Sequence, residues 1–397
     1  MQASALGLSS TTALIPGQVG ITPVSALGVG FACQLSNGFQ NVEAIRFVQR
    51  GSAGSAEALA RAGRLRILIN GQVQDHATAG LLRPDLLTCA VENALPEILL
   101  VCCNPDQLLS VIDALVECLE LGYARTGQVD PATQMPVTIL SANGIYFQRH
   151  RQMFTERLEE STLFGRLPEL WPELMPHIVC RLLRGVTIQT SIRDGSGPDA
   201  IYRPGPPGLT RLAGGSREIR RLALERLCEL GGWFEVEETL SPTRLEFDKA
   251  IINLVSNTLG QLQAIDAEGR FTPLTVEAIN APAQHPAIRE LIGHVVNIAR
   301  HLRVYGPEQD VDHIFAICMD VARQHARHMP SSLQWLALSI ERNDLQPSVG
   351  PTEQWLIEPL IRYARSCNLP DSAAYFADLH RRLTDCLALA AARCQQG

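Results

Sequence analysis

The chain has 397 residues, 46% of them hydrophobic and 19% charged, enough length and apolar content for two or three domains with buried cores and not the composition of a disordered or collagen-like chain. Its 34 Lys and Arg stand against 41 Asp and Glu, a formal net charge of -7, which argues against nucleic acid as a partner because a phosphate-coating surface is basic. No apolar run approaches the roughly 18 residues of a membrane span, so no membrane partner is expected, and 11 cysteines set mostly in apolar stretches, with no Cys-x-x-Cys pair, suggest reduced thiols in a cytoplasm rather than disulfides or a metal cluster.

Residues 1–20 read as a disordered leader, lacking the basic start and apolar centre of a signal peptide. The apolar run from Gly20 to Leu27 predicts a first strand ending in Gly28-Val29-Gly30, and Phe31 to Phe39 a helix after it. Val42–Val48 and Ile67–Ile69 are strand candidates, and Ile98–Cys103 is a continuous apolar run, as expected of a strand buried on both faces. Gln107–Leu121 is an amphipathic helix, and Met135–Ser141 the next strand, closing on Asn143-Gly144. Strands alternating with helices argue for a parallel sheet with right-handed crossovers. Gly185–Ile192 has β-branched strand chemistry, Asp194–Gly208 reads as loop and turns, and Ser216–Gly231 as a helix. From Ser241 to the end the pattern is helical, broken at Pro282, Pro286, Pro307 and Pro330. An α/β domain over 21–240 is therefore followed by a mostly α-helical domain over 241–397.

A glycine pair between a strand and a helix gives a phosphate loop its context. Gly28 would permit the tight turn, Gly30 would leave room for a dinucleotide pyrophosphate, and the helix N-terminus would offer amides and the positive end of its dipole. Cys33 stands where the third glycine of the Rossmann fingerprint belongs. An ordinary strand-to-helix turn would show the same glycines. The end of the second strand, Arg46-Phe47-Val48-Gln49-Arg50, carries no acid for a ribose 2′-hydroxyl, and Arg50 is placed to meet a 2′-phosphate. That favours NADPH over NADH, with a solvated loop charge as the alternative reading of Arg50.

Lys249, Asn253 and Asn257 fall at i, i+4 and i+8 on a predicted helix whose other residues are Ala250, Ile251, Ile252, Leu254 and Val255. Two amides and an ammonium among such neighbours are costly unless paired. Either a polar ligand faces them or they belong to a structural hydrogen-bond network. Burial lowers a lysine pKa readily, which suits the group to donating a proton near neutral pH.

Several pieces fall in a recognisable order: Leu27-Gly28-Val29-Gly30, then Arg50, Asn143-Gly144, Gly185-Val186-Thr187 and the Lys249/Asn253/Asn257 helix, and last Ser331-Ser332-Leu333-Gln334 with Thr352-Glu353. Together they resemble the ketopantoate reductase (2-dehydropantoate 2-reductase) family over roughly residues 22–260 and 325–385. The resemblance implies a Rossmann-like NADPH-binding domain, a helical catalytic domain and a place in cytoplasmic pantothenate biosynthesis. It makes Lys249 the general acid and gives Glu353 to the lysine or a substrate hydroxyl. Asn253, Asn257 and Asn143 would hold the substrate and Ser331 its carboxylate. The cofactor would meet Gly28, Val29, Gly30, Phe31, Ala32, Arg50, Asn104 and Asn143. Asn104 stands where the family often has a lysine, and the stretch 264–311 reads as an insertion. The partner expected is a small 2-oxo acid, and a helical half of this kind often dimerises. The alternatives are another 2-oxo acid or an imine on the same fold, or a non-catalytic NADPH-binding protein.

Overall fold

A computed structural model describes residues 14–50 and 54–395. They form two compact units, one from the chain up to Ala142 together with Phe147–Thr239, the other from Asn143–Tyr146 and Leu240 onward.

The first unit is α/β. Among the described residues its twelve strands are β1 (Leu14–Thr22), β2 (Ile45–Val48), β3 (Arg64–Ile69), β4 (Gln72–Ala77), β5 (Leu82–Arg83), β6 (Leu95–Val101), β7 (Val137–Leu140), β8 (Leu182–Thr187), β9 (Ser191–Asp194), β10 (Ile201–Pro204), β11 (Thr210–Ala213) and β12 (Phe234–Val236). Eight of them make one sheet in the order β12-β11-β8-β7-β6-β1-β2-β5, and the other four a second sheet in the order β4-β3-β10-β9. In the larger sheet only the β11–β8 pair is antiparallel. Ile98, Leu99, Leu100 and Val101 of β6 have no exposed surface, which is why this strand carries no polar alternation. Val19, Ile21, Val29, Phe31, Ile98, Leu100 and Ile139 share one core between this sheet and its helices.

The structure differs from the sequence pattern at three places. Residues 14–20 are not leader, because Leu14–Thr22 pairs in parallel with both β2 and β6; the rest of the expected leader, residues 1–13, lies outside the described part. The strand does not run on to Leu27. It stops at Thr22, the turn is Pro23-Val24-Ser25, and the helix is Ala26–Leu35 with Ser25 as its cap. Asp194–Gly208 is not all loop, since β10 lies inside it and pairs with β3 and β9. Its short run was hidden by the Gly and Pro around it.

The second unit is helical. Pro242–Asn253 begins behind a Ser241 cap with proline at the first helical position, where a missing N–H costs nothing. A π-turn, Leu254–Leu259, and Gly260–Ala264 continue the same rod. Around it pack His285–His301, Val311–Gln324, Ser331–Glu341, Pro351–Ser366 and Pro370–Cys394. The stretch 264–311 is no appendage, because Ile288, Leu291, Ile292, Val295 and Val296 of the His285–His301 helix lie at the centre of this core. Among the described residues no helix is long and apolar enough to cross a membrane.

Candidate active site

The helical unit assembles its site on the rod that starts at Pro242. Lys249 and Asn253 are half-buried and Asn257 is buried. In a straight α-helix residues eight apart drift about 80° around the axis. The i→i+5 turn at Leu254–Leu259 takes back part of that drift and so brings Asn257 toward the line of Lys249. The stripe has a fourth member, Gln261, twelve residues on and 3% exposed. Its amide donates to Glu353 Oε1 at 3.1 Å.

Lys249 Nζ donates to Asn143 Oδ1 at 2.6 Å. Asn143 sits in a four-residue segment held by this unit. The Ile145 amide donates to the Trp355 carbonyl at 3.1 Å, and the Tyr146 amide to Glu246 Oε1 at 3.2 Å. Gly144 has φ +126, and a Cβ there would come within 2.9 Å of the Trp355 Cβ, so only glycine fits. Lys249 is also the one lysine of the chain; every other cationic side chain besides histidine is an arginine. A guanidinium cannot give up its proton in a protein, whereas an ammonium can.

Glu353 opens the Pro351–Ser366 helix and is 5% exposed. Burial pushes its carboxyl up to about 7, while its own backbone amide, Gln261 and Ser332 draw it back down. Ser332 thus lies beside Glu353. The structure brings Lys249 to Asn143 and sets Glu353 with Gln261 and Ser332. The Asn143–Tyr146 segment touches both the lysine helix and the Glu353 helix. Gln261, Ser332 and Glu246 were missed from sequence. Only Gln261 left a signal there, as the next step of the fourfold spacing.

In the α/β unit the helix N-terminus is displaced from the expected glycines. A Cβ on Gly28 would meet the Pro23 carbonyl at 2.7 Å and Ile21 Cγ2 at 3.1 Å. Gly28 is therefore the fingerprint's third glycine, the one that lets helix pack on strand, and the first two places are Pro23 and Ser25. Gly30 faces Ser191, whose Cβ would lie 3.1 Å from an added one. Val29, Phe31 and Ala32 are core residues with no exposed surface, and Cys33 is a residue of the same helix. These positions lie inside the helix and not in the turn before it, because the helix starts one turn earlier than the sequence pattern suggests.

The start of the Ala26–Leu35 helix presents backbone amides and the positive end of its dipole. Ser25 Oγ accepts from the Gly28 amide at 3.1 Å and donates to the Cys102 carbonyl at 3.3 Å, which ties the helix start to the end of β6. Proline at the first place removes one amide donor, and serine at the second puts a side chain where the fingerprint has bare backbone. Arg50 follows β2 and lies near Cys103, where its charge offsets part of the burial that pushes that thiol up to about 12. Asn104 is exposed at the end of β6 and makes no side-chain cap on the Pro105–Gln107 turn. Arg50, Asn104 and the Ser25 turn thus sit at the carboxyl ends of three adjacent strands, β2, β6 and β1.

No protein-family model and no curated protein sequence matches the chain. Solved structures share its fold. D-Mandelate dehydrogenase in a ternary structure with NADH and anilino(oxo)acetate is 14% identical, covering 93% of this chain and 99% of that one, with a TM-score of 0.63. A PanE/ApbA family ketopantoate reductase from Ralstonia eutropha is 14% identical with the same coverage and a TM-score of 0.55. The dimeric ketopantoate reductase of Staphylococcus aureus is 13% identical over 93% of this chain and 99% of that one, with a TM-score of 0.54. The chain is thus similar in fold, nearly end to end, to ketopantoate reductases: a Rossmann-like α/β part followed by a helical one.

Proposed function

We propose that the chain reduces the C2 ketone of a 2-oxo acid with a nicotinamide dinucleotide, NADPH by preference, and that 2-dehydropantoate, giving pantoate, is its substrate. The observation that carries this reading is the chain's single lysine, held 2.6 Å from the Asn143 amide oxygen at the head of a polar stripe. A chain that uses arginine for every other fixed cation keeps an ammonium where a proton has to leave. The folds it resembles support the same chemistry, since those proteins carry the names ketopantoate reductase and D-mandelate dehydrogenase.

In this reading the dinucleotide is held by the amides at the start of the Ala26–Leu35 helix, by Arg50 at the 2′-phosphate, and by Asn104. When bound it supplies the hydride for the carbonyl carbon. Lys249 donates its proton to the carbonyl oxygen as negative charge develops there, and solvent reprotonates the amine. Asn253 and Asn257 orient and polarise the ketone with their amides, and Asn143 keeps the ammonium aimed. Ser331 would receive the carboxylate, and Glu353 would accept a hydrogen bond from a substrate hydroxyl. A second reading, a bulkier aromatic 2-oxo acid with NADH, draws support from the likeness in fold to D-mandelate dehydrogenase, whose structure holds NADH and anilino(oxo)acetate.

Loss of reduced-cofactor absorbance tests both, with ketopantoate and an aromatic 2-oxo acid each offered NADPH and NADH. Turnover of ketopantoate with NADPH is the expected result, and Lys249→Ala should lower kcat by roughly 100-fold or more, the usual worth of a positioned acid. Turnover of the aromatic acid alone moves the substrate and keeps the mechanism. No oxidation of either cofactor, with NADPH still bound, overturns the enzyme and leaves a binding protein.

A further inference from the structure

We propose that Glu246 is a positioning residue whose carboxylate, hydrogen-bonded to the Tyr146 amide, holds the Asn143–Tyr146 segment so that the Asn143 amide oxygen stays on the Lys249 ammonium. That Lys249 is a proton donor rests on the reductase reading above; the clamp does not.

Glu246 is 2% exposed and sits between Leu245 and Phe247, two buried apolar residues of the lysine helix. A carboxylate in such surroundings is retained only against a cost, and its place tells what it is for. It lies three residues before Lys249, one helical turn away on the same side. The helix thus reaches the segment twice. Glu246 Oε1 takes the Tyr146 amide at 3.2 Å, and Lys249 Nζ gives to Asn143 Oδ1 at 2.6 Å. Between these two holds, the Ile145 amide is taken by the Trp355 carbonyl at 3.1 Å, and Gly144 passes too close to Trp355 for any side chain. The four residues are pinned at both ends and in the middle. If the Tyr146 end is released, the Asn143 end loses its register with Lys249. An amide oxygen that accepts from an ammonium favours the charged form, so its departure lowers the lysine's hold on its proton and raises the fraction of free amine.

The one lysine gives a direct readout. A mild acetylating reagent meets a single side-chain amine in the chain, and its rate, followed by mass spectrometry of the Lys249 peptide across a pH series, reports how much of that amine is free. Two substitutions separate reach from charge. Glu246→Asp keeps the charge and shortens the arm by one methylene; Glu246→Gln keeps the arm and its acceptor oxygen and removes the charge. The expected result is that Glu246→Asp raises the acetylation rate at neutral pH about threefold, equivalent to half a pKa unit. Asn143→Ala should do the same, while Glu246→Gln stays within about twofold of the parent, less than a third of a unit. The reverse order, Gln shifted and Asp unmoved, shows that Glu246 acts through its charge and overturns the clamp. So does a parent-like rate in every variant. Thermal unfolding of each variant establishes that it is folded before its rate is compared. Because the rate needs no substrate, it tests the role of Glu246 even in a chain that reduces no oxo acid.

Discussion

The Glu353 carboxyl, raised by burial to about 7 from an ordinary value of 4.5, binds its proton more tightly in the folded chain than in the unfolded one. Its contribution to stability is then fully present below about pH 4.5 and is lost as pH rises through about 7. The loss is on the order of 3 kcal/mol at pH 8, taking 1.36 kcal/mol per unit. Glu353→Gln removes the ionisation and keeps the shape, so its urea midpoint should move above the parent's as pH goes from 5 to 8, and match it more closely at pH 5. A difference independent of pH would mean that the folded site stabilises the carboxylate as well as water does. A buried carboxyl whose titration is displaced in this way is a candidate functional group. At this scale the stripe of Lys249, Asn253 and Asn257 is legible because a fourfold spacing among apolar residues puts polar groups along one helical face. Glu246 was not, because its partner Tyr146 is 100 residues away. The single lysine was there to be counted.

The helix after β1 shows how an element can be expected correctly and placed wrongly. A strand, a turn and a helix are all legible, but the sequence pattern gives Gly28 and Gly30 to the turn, whereas both lie within Ala26–Leu35. The pattern misleads because Pro23 and Ser25 fill the places glycines usually mark. The two registers differ in what an added methyl does. Gly28→Ala would set its Cβ against the Pro23 carbonyl at 2.7 Å, a backbone atom with little room to move. It should cost about 1–3 kcal/mol in urea unfolding, the range for overpacking. Gly30→Ala meets Ser191 at a milder 3.1 Å and gains helix propensity of about 0.5–1 kcal/mol, so its net change should stay within about 1 kcal/mol. If Gly28→Ala left stability intact while Gly30→Ala lowered it, the register deduced from packing would be wrong.

The order of an α/β half followed by a helical half followed from periodicity alone, because parallel strands and long amphipathic helices carry their signal over many residues. What no period could reveal is that the helical unit is discontinuous. Four residues between β7 and the Phe147–Glu160 helix belong to it, and Ile145, 1% exposed, is part of its core. A fragment beginning at Leu240 would keep every helix of the unit and still be incomplete. It would lack a core side chain whose truncation alone costs roughly 2–5 kcal/mol. It would also lose the amide that Glu246 pairs with, leaving a buried carboxylate short of a donor. Trp335 and Trp355 report on this unit, and Trp171 and Trp233 belong to the other. With the latter two changed to Phe, fluorescence of the whole chain and of the fragment follow the same reporters through a urea series. The fragment should unfold at a clearly lower urea concentration or not fold at all. Equal midpoints would show that the helical unit holds together without Asn143–Tyr146, and that the segment joins it only as a passenger. A lower midpoint would make these four residues a structural part of the unit that presents Lys249, so that the oxygen facing the ammonium is placed by the same packing that holds the helices together.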